Sequence, residues 1–488
     1  MKRCLLQLGI VIACAFCVLA QTKPAADVII QNARIWTVDP SRPEAEAVAI
    51  LGNRIVAVAS SPQVDAWRGP NTRVVDASGK RLLPGFNDAH VHFTDGGAQL
   101  DSVQLNDATS AQEFARRIRE RAEKSAKGEW LLGGDWDETK WSPAELPTKE
   151  LIDSATPETP VAVSRYDGHM VLANSLALKR AGISAQTPDP AGGVIVRDGQ
   201  GNPTGALKDA AEDLLFKAVP PPSHDQRRHA IERALEHAAS LGVTSVQHMN
   251  PDYADVAIYS ELLDEGKLTT RIYAAPLITQ VDDQVKIGIR RAFGGPYLRI
   301  GAVKAYADGS LGSATAYFFE PFSDQPGNRG LLSDEMHPIT LMRDRMMQAD
   351  GAGLQIFTHA IGDAGISAIL DIYGDIEKAH GRRDRRWRIE HAEHMAAEDF
   401  DRFAQLHVIA SVQPYHAIDD GRWAERRIGH DRSTRTMPSA HSLTTAFASL
   451  WARIGMSRRS IPCSRCTRPQ PARPSMARIR MDGFPSRS

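Results

Sequence analysis

The run Leu83-Pro84-Gly85-Phe86-Asn87-Asp88-Ala89-His90-Val91-His92 sets two histidines two residues apart, just after a Pro-Gly pair. On a strand, residues i and i+2 project from one face, so His90 and His92 offer both imidazoles to the same point. Such a pair at a strand end suits a divalent cation, because neutral imidazole is a common metal ligand. Alone the His-x-His signal is weak, since two ordinary polar residues on one strand face produce the same pattern. Its flanks decide its meaning.

Upstream, from Ala26 to about Lys80, the pattern is short and β-like: Val28-Ile29-Ile30, Ala33 to Val38, Ala47 to Ile50, Ile55 to Val58 and Thr72 to Asp76. Leu51-Gly52-Asn53 between the third and fourth of these reads as a hairpin turn. Residues 26–82 therefore form a small β domain ahead of the histidine pair. Downstream, helical and strand signals alternate, the pattern of a parallel sheet with crossover helices. Ser110-Ala111-Gln112-Glu113 is a capping box that opens a helix to about Lys127, followed by the strand candidate Trp130-Leu131-Leu132. A helix over Arg228 to Ser240 leads into Gly242 to Val246. Ile366, Ile369, Leu370 and Tyr373 recur at helical spacing after the apolar stretch Gly353 to Phe357.

The chain of 488 residues has room for one large barrel plus a smaller domain. With 24% charged residues and a formal net charge of -1, it offers no electrostatic reason to bind nucleic acid or an anionic membrane, which leaves a small molecule as the expected partner. Cys4, Cys14 and Cys17 lie near the N-terminus, and Cys463 and Cys466 near the C-terminus. The body between has no cysteine, so any metal there must be held by nitrogen and oxygen ligands.

Three later segments supply such ligands in order: Val303-Lys304-Ala305-Tyr306-Ala307-Asp308-Gly309-Ser310-Leu311-Gly312-Ser313, Thr358-His359-Ala360-Ile361-Gly362-Asp363, and Arg388-Ile389-Glu390-His391-Ala392. Singly, each has a structural reading: a surface lysine, or a hydrogen-bonded histidine in a sheet. Together with Pro84 to His92 they resemble the fourth-, fifth-, sixth- and first-strand motifs of the amidohydrolase superfamily, in particular its amidohydrolase-3 branch of YtcJ-like hydrolases. The resemblance covers about Asp27 to Arg432. It implies an α/β fold: a TIM-like (β/α)₈ barrel over residues 83–432 carrying a small β-sandwich domain.

The same resemblance implies that His90, His92, Lys304, His359 and His391 hold one or two divalent ions, zinc being the leading candidate among metals that imidazole also binds. Lys304, carboxylated by carbon dioxide, would bridge two ions; mononuclear and lysine-bridged versions both remain open. A bound cation lowers the pKa of water toward about 7 and polarises a carbonyl. The implied activity is hydrolysis of a non-peptide carbon–nitrogen bond, as in an amide or formamide. Ester or cyclic-amide hydrolysis, or metal and ligand binding without catalysis, are the alternatives. Tyr166-Asp167-Gly168-His169 and Gly201 to Asp209 resemble substrate-pocket segments of the branch. His169 is thus a candidate catalytic residue at the substrate or oxyanion, with a structural role as the alternative, and Asp308 a candidate for substrate binding or for orienting loops.

Lys2 and Arg3 precede an apolar run from Cys4 to Ala20 that ends in small residues, the pattern of a signal peptide (residues 1–20) cleaved after Ala20. A lipoprotein signal at Cys14 or an uncleaved anchor would also place the domain outside the cytoplasm. Oligomeric state is open.

From Ser433 to Ser488 the chain turns rich in arginine, serine and proline, with Asp482 its only acid. Read one base earlier, the codons of Trp451-Ala452-Arg453-Ile454-Gly455 can encode Gly-Ser-Asp-Trp, the ending expected of the family's eighth strand. A frameshift near Ser433 to Thr436 accounts for this, making residues 433–488 an aberrant tail. The barrel is then incomplete, the metal-binding, proton-shuttling aspartate of the eighth strand is absent, and the chain as written is expected to be inactive.

Overall fold

The computed structural model describes residues 24–434 apart from 166–169, 191–192, 210, 313, 414–415, 417–419 and 423. The expected signal peptide (residues 1–20), His169 and all residues from 435 onward, which include most of the expected aberrant tail, lie outside the described residues. Near the N-terminus, Val28–Gln31, Ala47–Leu51, Arg54–Ala59 and Arg73–Asp76 form a four-stranded sheet. The hairpin turns at Gly52, where φ is +58°, a left-handed value that glycine adopts without strain. A second, three-stranded sheet is built from Glu44–Ala45, Arg34–Trp36 and Arg81–Leu82. Ile29, Ala47, Ala49 and Val64 are buried on one side of this region, and Ala33, Ile35 and Val48 on another.

The larger part contains seven parallel strand positions: β1 (Phe86–Val91), β2 (Val243–Met249), β3 (Arg271–Ala275), β4 (Leu298–Ile300, resumed as Ala302–Tyr306), β5 (Gln355–Ala360), β6 (Arg388–His391) and β7 (Ile409–Ser411). Each pairs in parallel with the next in sequence. β4 is broken at Gly301, where φ is +133° and an added Cβ would stand 2.2 Å from the Arg290 carbonyl oxygen. Only glycine fits there. The break lets β4 pair with β3 through its first half and β5 through its second, while the Lys304 amide still donates to Pro276. Among the described residues no strand pairs with the outer edges of β1 and β7, so an arc and not a closed barrel is observed.

Helices cover the outer face, as a parallel sheet requires. The helix Asp363–His380 lays Ile366, Ile369, Leu370 and Tyr373 against Val303, Ile356 and Ile389 of β4, β5 and β6, and Tyr373 stacks on Trp387 at 4.4 Å. The helix His224–Ser240 begins earlier than its apolar spacing suggests, because Ser223 and Gln226 form a capping box. Its close neighbour is the helix Phe93–Asp101, where an added Cβ on Gly97 would meet the Ala230 carbonyl oxygen at 1.9 Å.

Two local expectations shift. The helix opened by Ser110 ends at Ala122 rather than near Lys127, and the Glu113 carboxylate accepts from Thr109 instead of closing the box on Ser110. The strand near Trp130 falls on Gly133–Trp136, with Leu131 only bridging to Val161. A larger departure lies between β1 and β2. There, Val103–Gln104, Gly133–Trp136, Ala162–Arg165, Met170–Ala173, Pro203–Asp209 and Gly193–Arg197 form a six-stranded mixed sheet with buried clusters of its own. Its strands are brief apolar runs, which periodicity alone cannot separate from helix segments.

Candidate metal centre

Strand ends bring the sequence-nominated histidines together. His90 and His92 stand at the end of β1 with ring centroids 5.7 Å apart. His391, closing β6, lies 4.8 Å from the His90 ring and 4.6 Å from that of His359 on β5. His391 and Ala392 both have positive φ, 70° and 46°, so the chain turns sharply where the imidazole enters the group. Lys304 sits on β4 two register positions before the pair Tyr306 and His359. Its side chain is fully buried, its Nζ lies 4.6 Å from the Tyr306 ring centre, and that nitrogen has no hydrogen-bond partner.

Burial, and then the Lys304 charge, push His92 and His359 down to about 4. Burial with the neighbouring rings also holds His391 far below the ordinary imidazole value, and burial lowers His90 despite the opposing Glu390. Burial lowers Lys304 to about 8. Neutral rings and a lysine able to shed its proton are the forms that ligation or carboxylation requires.

Acceptors fix which ring nitrogens remain. His90 Nδ1 lies 2.7 Å from Glu390 Oε2, so Nδ1–H donates and Nε2 keeps its lone pair. Glu390 is fully buried. It also accepts from Arg388 Nε at 2.6 Å, and these two partners overcome the effect of burial to hold its carboxyl below the usual range. Arg388 continues to the Ala89 carbonyl at 2.7 Å and to Gln247, tying β6 to β1 and β2. His359 Nε2 donates to the Gly309 carbonyl at 2.9 Å.

Asp308 is buried and accepts from the amides of Tyr317, Ile361 and Gly362 at 2.8–3.0 Å, anchoring two loops at the rim. Burial still raises its carboxyl to about 7. His248 donates to or accepts from Tyr259 at 2.9 Å inside the neighbouring core. Glu393 and His416 were not among the expected ligands, yet they stand beside His391. The His416 ring stacks on His391 at 5.3 Å with an interplanar angle of 7°, and its Nδ1 lies 2.7 Å from Glu393 Oε1. The spacing of Glu393 from His391, again i and i+2, was the available signal.

The donor set fits a divalent cation: clustered neutral imidazoles, second nitrogens held by acceptors, and a buried amine that lacks a partner. Among the described residues no helix is long and apolar enough to cross a membrane.

Comparison with known proteins agrees with this chemistry. The protein LONG AFTER FAR-RED 3 of Arabidopsis thaliana is 39% identical over 85% of this chain and 73% of its own length. The N-substituted formamide deformylase of Arthrobacter pascens is 28% identical over 75% of this chain and 69% of its own. The crystal structure of an uncharacterized metal-dependent hydrolase from Pyrococcus furiosus superposes with a TM-score of 0.71 at 26% identity, covering 86% of this chain and 83% of that one. A family model described as Amidohydrolase family, Amidohydro_3, matches residues 73–451 and so takes in every strand of the arc. The chain therefore belongs to the amidohydrolase family, in the amidohydrolase-3 branch, and has its metal-dependent hydrolase fold of the α/β, TIM-like type.

Proposed function

We propose that the protein hydrolyses a non-peptide carbon–nitrogen bond of a small amide or formamide at a centre held by His90, His92, Lys304, His359 and His391. The observation that carries this reading is the clustering of four imidazoles, each within electrostatic reach of a fully buried lysine whose Nζ has no hydrogen-bond partner. An unpaired buried amine is costly, and carboxylation of Lys304 by carbon dioxide, with the resulting carbamate helping to hold a divalent ion, would remove that cost. The deformylase relative supports the choice of a carbon–nitrogen bond. Bound divalent ions would supply activated water and a polarised carbonyl. The chain's own residues aim and protect: Glu390 orients His90, Gly309 orients His359, and Asp308 holds the rim loops through three amides.

The family's eighth-strand aspartate has no counterpart among the described residues, and we infer that the chain as written turns over poorly or not at all. A positioned acid–base group contributes typically about 10²–10⁴-fold. The test is an amide and formamide library assayed on this chain and on a chain with the alternative frame restored after Arg432, each with and without chelator. Amine release by the restored chain, lost on chelation and in Lys304→Ala, is the expected result. Equal turnover by both chains would remove the role of the missing aspartate, and chelator-insensitive turnover would remove the metal.

A further inference from the structure

We propose that the N-terminal ends of the parallel strands form a second binding site, for a small molecule carrying two or more phosphate or carboxylate groups. A cavity of about 490 Å³ opens there, lined by Arg54, Arg271, Arg291, Arg299 and Arg386. That volume falls within the range of small-molecule pockets, about 300–1,000 Å³. The arginines come from separate segments: Arg54 from the N-terminal hairpin, Arg271 from the first residue of β3, Arg291 from the connection after it, Arg299 from the first half of β4 and Arg386 from the segment before β6. A solvated face usually mixes charges of both signs, whereas no aspartate or glutamate lines this cavity. The imidazoles of the metal centre stand toward the opposite ends of the same strands, and the inference does not depend on them.

These charges lack counter-ions. Arg54, Arg271, Arg291 and Arg299 form no ion pair among the described residues, and Arg386 has an exposed one, with Asp384 at 3.1 Å. Their hydrogen bonds go to main-chain carbonyls and use single nitrogens: Arg291 Nη1 to Asp384 at 3.0 Å, Arg299 Nε to Gly295 at 3.1 Å, and Arg271 Nη2 to Asn53 at a long 3.5 Å. Each guanidinium carries five N–H donors, so most are left for a ligand. Burial pushes the lining Tyr273 hydroxyl up to about 12, and the charges of Arg291, Arg388 and Arg299 act against that shift, which places Arg291 and Arg299 within reach of one ring. Gln247, also lining the cavity, accepts from Arg388. Arginine can only donate, so the Gln247 oxygen is taken and its NH₂ group has no acceptor among the described residues. Arg386 itself sits at a φ of 52°, a left-handed value that a residue other than glycine adopts at a cost. Cations gathered around one concavity repel each other and focus a positive field into it. An arginine fork grips phosphate or carboxylate oxygens in pairs, so a ligand with two or more such groups is what engages guanidiniums spread over five segments.

The experiment is calorimetric titration of the full chain, at about 0.15 M salt, with fructose 1,6-bisphosphate, tricarballylate and uncharged fructose. One equivalent of a polyanion should bind and fructose should not; the tighter of the two polyanions tells phosphate from carboxylate recognition. Arg271→Gln and Arg299→Gln should each weaken that equivalent by about 10-fold or more, and Arg54→Gln, on the separate hairpin, should weaken it as well. Arg116→Gln removes the same charge from an exposed position on the helix Ala111–Ala122 and should leave binding unchanged. So should Lys304→Ala, which strikes the metal centre instead. If one arginine variant does not fold, as judged by circular dichroism, the others decide. Failure of both polyanions to bind overturns the proposal. Binding that survives undiminished in every folded variant of Arg54, Arg271 and Arg299 also overturns it, as does binding lost in folded Lys304→Ala, which would put the anion at the metal centre.

Discussion

β5 and β1 carry the same kind of residue at the same kind of place, a histidine at the end of a parallel strand, but they live in different surroundings. β5 lies between β4 and β6 under the helix Asp363–His380, and Ile356, Phe357 and Thr358 are fully buried. Among the described residues β1 pairs on one side alone. Its first four residues are exposed, Phe86 to 59%. β1 nevertheless keeps His90 in register with the other imidazoles, and it does so through side chains: Arg388 and Glu390 reach across from β6 to the Ala89 carbonyl and His90. A strand with one main-chain partner among the described residues is thus tied on its other side by a buried ion pair. Deep packing positions one half of the centre and electrostatics the other.

The largest break of this contrast comes from removing one partner of the pair. Arg388→Ala leaves Glu390 buried without its cation and should cost about 3–5 kcal/mol, measured by urea unfolding, with His90 displaced. On the packed side, Ile369→Ala removes apolar volume beneath β4 to β6 and should cost about 2–5 kcal/mol in the same assay. If Arg388→Ala proved neutral while Ile369→Ala did not, the arc would owe nothing to the cross-tie.

A subtler contrast is in pH. The metal-free protein buries imidazoles whose values are depressed, so their contribution is present above about 6.5, the unfolded value, and is lost as pH falls toward about 4. Asp308 and Asp420, raised to about 7 chiefly by burial, act in the opposite sense, so difference measurements are needed. His359, with 13% of its side chain exposed, should govern more of the slope than His92, with 39%. Thermal melts between pH 4 and 6.5 should therefore flatten more in His359→Asn than in His92→Asn; the reverse order would deny that burial sets the shifts. Smallest of all, Phe86→Ser should change unfolding free energy by no more than about 0.5–1 kcal/mol while reducing self-association in light scattering.

The His90 and His92 pair could be read beforehand because strand geometry is periodic, whereas Lys304, His359 and His391 were nominated only by the family resemblance of their segments. His90, His92, His359 and His391 lie at or near strand ends and their rings cluster, while Lys304 stands buried in the middle of the second half of β4. Arg388 and Glu390 were legible in principle by the same two-residue spacing, but a charged pair in an apolar strand reads as a surface face until its partners across the sheet are known. Glu393 and His416 were harder. Two successive left-handed residues, His391 and Ala392, break the strand period just before Glu393, and His416 reaches the site from a separate segment after β7. The inserted sheet escaped detection because its pairing joins segments whose local pattern is ambiguous. His169 and the frame of the tail lie outside the described residues.

That insertion has a temporal consequence. Asn87 on β1 and its partner Ser245 on β2 are 158 residues apart in the chain, whereas β5 and β6 are joined by a single helix. Closing a loop of that length carries an entropic penalty before any contact offsets it, so the β4 to β6 layer should form early and β1 should dock late. The nascent protein would then hold Lys304, His359 and His391 in place for a period without His90 and His92. Pulse-labelled hydrogen exchange should find amides of β5 and β6 protected before those of β1, and metal present during refolding should speed the last step by giving the arriving histidines something to bind.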